Sequence, residues 1–353
     1  MRLLIASGSL GKYFHLKEFS DALQKLGVDT KLVIESEYSS GFPSKKISQW
    51  FSTKKFYNLI KDFKPDAVFI DRQLHFGADT LKAGIPLFVL LRGQYWSEME
   101  FAKKTRYKGL VSKGVIWTRN RIAEKCFKHA TAVFPICEWL CDVVKEHHPN
   151  QKTHAFLEGI DASKWYQQEG LKLKHPCVGL IQNANWWGKA KEMLILEEVL
   201  KKLPNVNFYW VGDGFYTKQL LDKLEKYENF TFLGPLEYPD KVREFLTEID
   251  VYALVSGMDL APLTLKEAQL MEKPVLATRV GGIPEMMDTK KSGYLIEEGD
   301  HEGWIQKISL LLEDKELSKR MGKKGREFVL ENFSWETIAK KFLKASKLYV
   351  NEK

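Results

Sequence analysis

Residues 251–285, which read VYALVSGMDLAPLTLKEAQLMEKPVLATRVGGIPE, alternate apolar strands with a helix. The first apolar run predicts a buried strand, and a loop with Asp259 and a helix holding Glu267 follow it. Pro274–Ala277 predicts a second strand, which ends in a glycine turn. A strand, a helix and a strand in this order are typical of a parallel sheet with right-handed crossovers.

The two acids of this stretch predict a ligand site. Asp259 lies on the loop and Glu267 about a helical turn into the helix, so both belong to the carboxyl edge of the sheet. Open α/β sheets bind ligands at that edge, and the free amides of a helix start favour a phosphate. Carboxylates accept hydrogen bonds from hydroxyls. A phosphate together with a polyol indicates a nucleotide sugar.

The same alternation runs through the whole chain and predicts two Rossmann-like domains, with a break in the polar stretch Glu158–His175. Predicted helices include His15–Leu26, the amphipathic Trp50–Phe63 and Trp304–Leu312, which opens an all-helical end. The remaining predicted strands are Leu3–Ala6, Thr30–Ile34, Ala67–Ile70, Ile85–Leu91, Ala132–Ile136, Cys177–Ile181, Asn207–Val211, Thr231–Leu233, Val251–Val255 and Gly293–Ile296.

Composition narrows the classes of protein. A chain of 353 residues fits two domains, and its net charge of +8 gives a basic surface for phosphorylated substrates, anionic lipid or nucleic acid. We find no RNA- or DNA-binding motif, and we expect no nucleic-acid partner. The four cysteines have no metal-ligand spacing and are expected in the core. The start MRLLIAS fits neither a signal peptide nor a membrane span, so we expect a cytoplasmic location.

The motifs of the second half resemble the retaining glycosyltransferases of the GT-B fold, family 4 type. The resemblance rests on Asp259-x7-Glu267, on Lys273-Pro274-Val275 and on Gly281-Gly282-Ile283-Pro284-Glu285. Leu157-Glu158-Gly159-Ile160-Asp161 and Phe333-Ser334-Trp335-Glu336 are similar to two further family segments. The resemblance is dense from about residue 130 onward.

This resemblance implies an α/β protein of GT-B architecture, with two Rossmann-like domains facing a cleft and a C-terminal helix that crosses back to the first domain. Residues 1–160, with the helix 336–353, would form the acceptor-binding domain. Residues 161–335 would form the domain that binds the nucleotide sugar.

The resemblance also implies roles for three catalytic residues. Glu267 would accept hydrogen bonds from the ribose hydroxyls, and Asp259 would hold the donor sugar. Lys189 would neutralise the departing diphosphate, although Leu180 stands where the family has a second cation. Leu260 and Pro262 occupy positions of family glycines, and Pro262 has no N–H to donate. Without the flanking motif, Asp259 would be an ordinary turn residue and Glu267 a surface acid.

Further donor contacts are expected from turns and amides beside these residues. Lys191 is an alternative to Lys189 if the helix starts later. Gln182, Asn183 or Asn185 could donate hydrogen bonds in place of the cation that is missing at Leu180. The predicted donor-binding set in the second domain, besides Glu267, is Asn183, Gly212, Gly214, Leu263 and Thr264.

Three residues of the first domain are also candidates. Gly8 and Gly11 lie between the first strand and its helix, where the backbone could approach a diphosphate. The geometry of the strand-to-helix turn alone would also explain both glycines. Arg92 follows the strand Ile85–Leu91 and is expected on the acceptor or phosphate side, with a structural salt bridge as the alternative.

Residues 103–128 form a basic segment, which carries nine cations and one acid, Glu124. Aromatic and aliphatic residues such as Tyr107 and Trp117 lie between the cations. This mixture suits an anionic membrane surface, and a solvated basic face or a polyphosphate groove are the alternatives. The cations are Lys103, Lys104, Arg106, Lys108, Lys113, Arg119, Arg121, Lys125 and Lys128.

Taken together, the residues and the family resemblance imply a retaining hexosyltransferase that moves a sugar from a nucleoside diphosphate to an acceptor hydroxyl. The acceptor would be a lipid-linked or cell-surface glycan precursor, with peripheral contact at the inner face of the membrane. The motif requires no metal and no cofactor, and the chain has no Asp-x-Asp pair in the region of the motif. The alternatives are a sugar-nucleotide 2-epimerase of the same fold and a non-catalytic subunit that binds a sugar nucleotide or a glycan.

Overall fold

The chain forms two compact α/β units in a computed structural model that describes residues 1–42, 50, 53–105 and 109–350. The first unit comprises Met1–Gly159 together with Trp335–Lys353, and the second comprises Ile160–Ser334. Each unit contains its own parallel sheet.

The first unit is a five-stranded parallel sheet in the order β2-β1-β3-β4-β5, with its central strands fully buried. Its strands are β1 (Arg2–Ser7), β2 (Asp29–Ile34), β3 (Ala67–Ile70), β4 (Leu87–Leu91) and β5 (Ala132–Pro135). Its helices before residue 160 are α1 (Leu10–Lys25), α2 (Glu35–Tyr38), α3 (Lys54–Phe63), α4 (His75–Lys82), α5 (Tyr95–Thr105), α6 (Leu110–His129) and α7 (Glu138–His147).

Two helices of this unit begin at residues other than the predicted ones. Helix α1 begins at Leu10 and not at His15, because the extended Ser9 provides a helix start directly after β1. Gly11 is therefore inside the first turn of the helix, and the prediction that it belongs to the preceding loop is wrong. Helix α3 begins at Lys54, whereas the predicted start, Trp50, lies in a turn.

The C-terminal helix packs onto the first sheet, as the sequence predicted. This helix, α15 (Trp335–Val350), packs against α1, and the Trp335 indole donates a hydrogen bond of 2.7 Å to Glu18. The buried Phe342 ring lies 5.0 Å from Phe134 and 5.2 Å from Phe69, measured between ring centroids. Residues distant in sequence thus complete the core of the first unit.

The second unit is a six-stranded parallel sheet in the order β11-β10-β9-β6-β7-β8. Its strands are β6 (Cys177–Ile181), β7 (Asn207–Val211), β8 (Phe230–Gly234), β9 (Val251–Leu254), β10 (Val275–Thr278) and β11 (Gly293–Ile296). Its helices are α8 (Trp187–Ala190), α9 (Leu196–Lys202), α10 (Thr217–Leu224), α11 (Asp240–Glu248), α12 (Leu263–Leu270), α13 (His301–Glu313) and α14 (Lys315–Phe333).

Strand predictions agree with these bounds to within two residues. The largest difference is at β4, which begins at Leu87 and not at Ile85, because Pro86 has no N–H for the ladder and sits at the strand entrance. All four cysteines are buried, as predicted. In the described part of the chain, the helices are too short or too polar for any of them to cross a bilayer.

We predict that Phe342→Ala destabilises the first unit by about 3–5 kcal/mol, because it leaves a cavity among several aromatic rings. Leu348→Ala is the matched control, since Leu348 lies on the same helix and is 57% exposed. Chemical denaturation followed by tryptophan fluorescence measures both. Equal stability of the two variants would contradict this role of α15.

Candidate functional site

The candidate site lies where the second sheet changes its winding direction. From β6 the chain proceeds outward through β7 and β8, and it returns to place β9 on the other side of β6. The loops that follow β6 and β9 therefore leave the sheet beside one another and in opposite directions. Ligands of open α/β sheets bind at such a point, outside the carboxyl ends of the strands.

Lys189 and Asp259 form an ion pair at this point. Lys189 belongs to the short helix α8 after β6, and Asp259 belongs to the loop after β9. The Lys189 ammonium contacts Asp259 Oδ2, and the two side chains are 18% and 16% exposed. The structure thus brings together two of the three predicted catalytic residues, 70 positions apart.

The Gln182 side chain connects the loop after β6 with the loop after β9. Its side-chain amide donates to the Val255 carbonyl at 2.7 Å and accepts from the Val255 amide at 3.1 Å. The Gly257 amide donates to the Lys189 carbonyl at 3.0 Å. Both polar atoms of the buried Gln182 side chain are used in this way, so Gln182 connects the loop after β6 to the end of β9.

A glycine turn supports the Asp259 loop. The Gly282 amide donates to the Asp259 carbonyl at 3.0 Å, and the Leu260 amide donates to Asp259 Oδ1 at 3.0 Å. Gly281 has a φ of +53°, and a Cβ there would overlap the Asp259 carbonyl oxygen. Glycine is therefore required at this position by both backbone conformation and close approach. The glycine turn of the sequence motif positions the acid loop.

Glu267 is buried in α12, with 1% of its surface exposed. Its carboxyl accepts a hydrogen bond of 3.1 Å from the hydroxyl of Tyr238, in the loop after β8. Burial raises the pKa of Glu267 to about 7, and the Tyr238 hydrogen bond and Lys266 oppose that rise. The alternative of an exposed surface acid is therefore wrong for this residue. Tyr238 itself was not identified in the sequence.

The start of α12 presents backbone donors at the same edge of the sheet. Pro262 precedes the helix, and no side chain caps it. The amides of Leu263 and Thr264 belong to the first turn, which has no intrahelical acceptors. The Thr264 hydroxyl pairs at 2.8 Å with the hydroxyl of the buried Tyr252. These groups suit an anion at the helix start.

The two glycines after β7 allow close contact between loops. Gly212 and Gly214 have φ values of +149° and +143°, and a Cβ on either would overlap the backbone of residues 182 or 184. This packing gives both glycines a structural reason. Asn183 is exposed on the neighbouring loop, and its side chain accepts from the Asn185 amide at 3.4 Å.

Three neighbours of Lys189 have different surroundings. Lys191 pairs with Glu298 at 3.5 Å, and about half of its side chain is exposed. Trp186 is 36% exposed, whereas Trp187 packs against the core and lies 5.3 Å from the Tyr216 ring. Lys189, in contrast to Lys191, is directed at the loop of Asp259.

The remaining candidates belong to the first unit. The Gly8 amide donates to Asp71, and a Cβ on Gly8 would overlap the Arg72 side chain. A Cβ on Gly11 would meet open space, so sterics do not require glycine there. Arg92 forms an ion pair with Glu158, and its Nε and Nη2 atoms are buried without a hydrogen-bond partner among the described residues.

In the described residues, one group of three possible metal ligands comes together at the amino ends of β6 and β9. It consists of His175, Cys177 and Asp250. His175 bridges two acids, with 2.9 Å to Asp250 and 2.8 Å to Glu248, and the Cys177 amide donates to Asp250 at 2.8 Å. Burial raises the pKa of the Cys177 thiol to about 12. This group lies at the opposite edge of the sheet from Lys189.

Residues 162–328 match the family model described as glycosyl transferases group 1. The chain is 39% identical over 205 residues to N-acetyl-alpha-D-glucosaminyl L-malate synthase of Bacillus anthracis, a match that covers 55% of this chain and 53% of that protein. The chain therefore spans about half the length of this curated relative.

Two solved structures share the fold over the whole chain. Sucrose-phosphate synthase from Thermosynechococcus elongatus has a TM-score of 0.73 at 14% identity, covering 100% of this chain and 99% of that one. Anabaena HepE in complex with UDP and glucose has a TM-score of 0.67 at 16% identity, covering 98% and 99%. These likenesses confirm the GT-B fold that the motifs predicted.

We predict that Glu267→Gln makes the protein more stable at pH 8 but not at pH 4.5. The unfolded carboxyl ionises near 4.5 and the folded one near 7, so the wild type loses stability as pH rises between these values. The gain at pH 8 is on the order of 3 kcal/mol. Urea denaturation at both pH values measures it, with exposed Glu225→Gln as control. A gain independent of pH would contradict the cost of a buried charge.

Proposed function

We propose that this chain, whose residues 162–328 match the model of glycosyl transferases group 1, is a retaining transferase that takes a sugar from a nucleoside diphosphate donor. The observation that carries the proposal is the convergence of a cation, free helix amides and a buried acid at one edge of the second sheet. Lys189, the start of α12 and Glu267 provide these groups.

Each group suits one part of such a donor. The ammonium of Lys189 and the amides of Leu263 and Thr264 would bind the diphosphate. The Glu267 carboxylate would accept both hydroxyl protons of the ribose. Asp259 would reach the sugar hydroxyls from the neighbouring loop. The loops after β6 and β7 lie at the same edge and would line the donor site with Asn183, Gly212 and Gly214.

A bound donor would replace two contacts within this site. Lys189 is paired with Asp259, and the Tyr238 hydroxyl occupies one oxygen of Glu267. A diphosphate would compete with Asp259 for the ammonium, and a ribose hydroxyl would take the place of the Tyr238 hydroxyl. These groups are therefore paired within the protein, and Asp259 would become available to the sugar as the diphosphate binds Lys189.

In the transfer step, the acceptor hydroxyl oxygen bonds to the anomeric carbon while the bond from that carbon to the diphosphate oxygen breaks. The acceptor proton passes to the departing diphosphate oxygen on the same face, which retains the configuration. Lys189 and the helix amides stabilise the negative charge that builds on the diphosphate. The residues named here require neither a metal ion nor a protein nucleophile.

We predict that nucleoside diphosphate sugars bind and that two variants separate the parts of the site. Lys189→Gln should weaken a nucleoside diphosphate about 10- to 100-fold through loss of a charge-assisted contact and leave the nucleoside unaffected. Glu267→Ala should weaken both ligands. Isothermal titration with the UDP, GDP and ADP series, and with the free nucleosides, measures this.

Lys191→Gln is the control, because Lys191 lies two residues further on and pairs with Glu298 instead of Asp259. Equal loss in the Lys189 and Lys191 variants would contradict a specific role for Lys189. Binding without transfer to any acceptor would favour a non-catalytic subunit. Donor turnover without an acceptor would favour the 2-epimerase.

We further propose that helix α6 carries a surface for anionic lipid. Leu110 and Trp117 are 90% and 62% exposed, and they lie on one face of the helix with Arg121, Lys125 and Lys128 at helical spacing. The Arg121 guanidinium lies 5.4 Å from the Trp117 ring. Arg106, Tyr107 and Lys108 of the basic segment lie outside the described residues.

We predict that the protein sediments with vesicles containing phosphatidylserine and that Trp117→Ala together with Lys125→Gln reduces this binding. Each cation contributes about 1 kcal/mol near anionic lipid, so the charge substitution alone should cost about fivefold. Leu330→Ala, at an exposed apolar residue of the second unit, is the control. Binding that is equal on phosphatidylcholine vesicles or insensitive to salt would contradict an electrostatic surface.

A further inference from the structure

The carboxyl edge of the first sheet contains a polar cavity of about 390 Å³ that no residue of the donor site lines. Its walls come from the segments that directly follow β2 and β3, together with helix α6. The polar lining residues that carry the argument are Glu35, Ser36, Ser39, Arg72, His75 and Arg119.

Glu35 is a buried acid in this lining. The residue is 5% exposed, and its Oε2 atom has no hydrogen-bond partner among the described residues. A buried polar atom without a partner costs free energy, so a ligand group that pairs with it would recover that cost. Glu35 therefore offers a hydrogen-bonding position inside the cavity.

Several charged groups surround Glu35. They come from four elements: its own helix (Glu37), the loop after β3 (Asp71, Arg72), α4 (His75, Asp79) and α6 (Arg119, Cys126).

Asp71, Asp79 and His75 form hydrogen bonds with other groups of the protein. Asp71 accepts from the Gly8 amide, Asp79 binds Ser39 and Lys82, and His75 bonds to the Phe42 carbonyl at 2.9 Å.

The two guanidinium groups set the sign of the ligand. Arg72 and Arg119 are exposed residues that line the cavity from different elements, and Asp71 and Asp79 do not line it. Guanidinium groups match carboxylate and phosphate oxygens in planar, two-pronged geometry. When Glu35 is protonated, the charged lining is cationic and Glu35 itself becomes a donor.

We propose that this cavity binds an anionic group, a carboxylate or a phosphate monoester, between Arg72 and Arg119, with protonated Glu35 donating a hydrogen bond to it. The assignment of that group to the acceptor rests on the proposed transferase function. The acceptor would then be a hydroxy acid or a phosphorylated polyol that presents a free hydroxyl.

The affinity should depend on pH through Glu35. Burial raises its pKa to about 7, Asp71 raises it further, and Arg72 lowers it. A bound anion favours the protonated form of Glu35. Above about pH 7, where the Glu35 carboxyl is ionised, anion binding therefore requires the uptake of a proton. Linkage then predicts an affinity about tenfold weaker at pH 8 than at pH 6.

The test is isothermal titration of the full chain at pH 6, 7 and 8, at constant ionic strength, with sulfate, succinate and glycerol 3-phosphate. Sulfate keeps its charge over this range, so its pH dependence reports the protein. Arg72→Gln and Arg119→Gln should each weaken sulfate at least tenfold. Glu35→Gln should bind at pH 6 and show no fall toward pH 8. Stronger succinate binding indicates a hydroxy acid, and stronger glycerol 3-phosphate binding indicates a phosphorylated polyol.

Arg320→Gln is the control, because Arg320 is an exposed arginine on α14 and does not line the cavity. Three results would overturn the proposal: no binding of any of the three anions, an equal effect of the Arg119 and Arg320 variants, or an unchanged pH profile in Glu35→Gln. A parallel titration with nucleoside diphosphate sugars keeps the two proposals separate. Anion binding without donor binding would contradict the transferase proposal and support the cavity assignment. Donor binding without anion binding would contradict the cavity assignment and leave the transferase proposal in place.

Discussion

The parallel pairing of β6 with β9 is the constraint on which the candidate site depends. These strands are neighbours in the sheet although β7, β8 and their helices lie between them in sequence. The pairing brings the Gln182 amide against the Val255 backbone and the Lys189 ammonium against Asp259. The buried Gln182 amide, the backbone hydrogen bond from Gly257 to Lys189 and the ion pair thereby hold the two loops together. A change in strand order would separate the cation from the acid, whatever residues the loops carried.

Much of the fold follows from local sequence. Strands buried on both faces read as short apolar runs, and β3, β6 and β7 have the predicted bounds for that reason. The Asp259 and Glu267 positions were also predictable, because loop and helix follow a recognisable strand. The start of α1 was missed because Ser9, Leu10 and Gly11 interrupt the apolar periodicity, although a serine before a helix is a known start signal.

The contacts that the sequence did not predict join residues far apart in the chain. Tyr238 lies 29 positions before Glu267, and nothing in its loop indicates that its hydroxyl reaches a buried acid. Arg92 and Glu158 form an ion pair although they lie far apart in the first segment of the first unit. Periodicity and motif spacing describe one element at a time. They predict on which helix, strand or loop a residue lies, but not which distant residue its side chain contacts.

Both units place a buried carboxyl at the carboxyl edge of their sheet. Glu35 follows β2 directly, and Glu267 lies in the helix after β9; burial is the largest cause that raises the pKa of each to about 7. A carboxyl whose pKa is raised by burial lowers the free energy of unfolding above neutral pH. Stability therefore does not explain why an acid is buried at either position. Each also has hydrogen-bonding capacity that the protein leaves open or fills with one exposed tyrosine. Ligand groups that complete these bonds, hydroxyls at Glu267 and an anion at Glu35, would give both carboxyls a reason to be buried where they are.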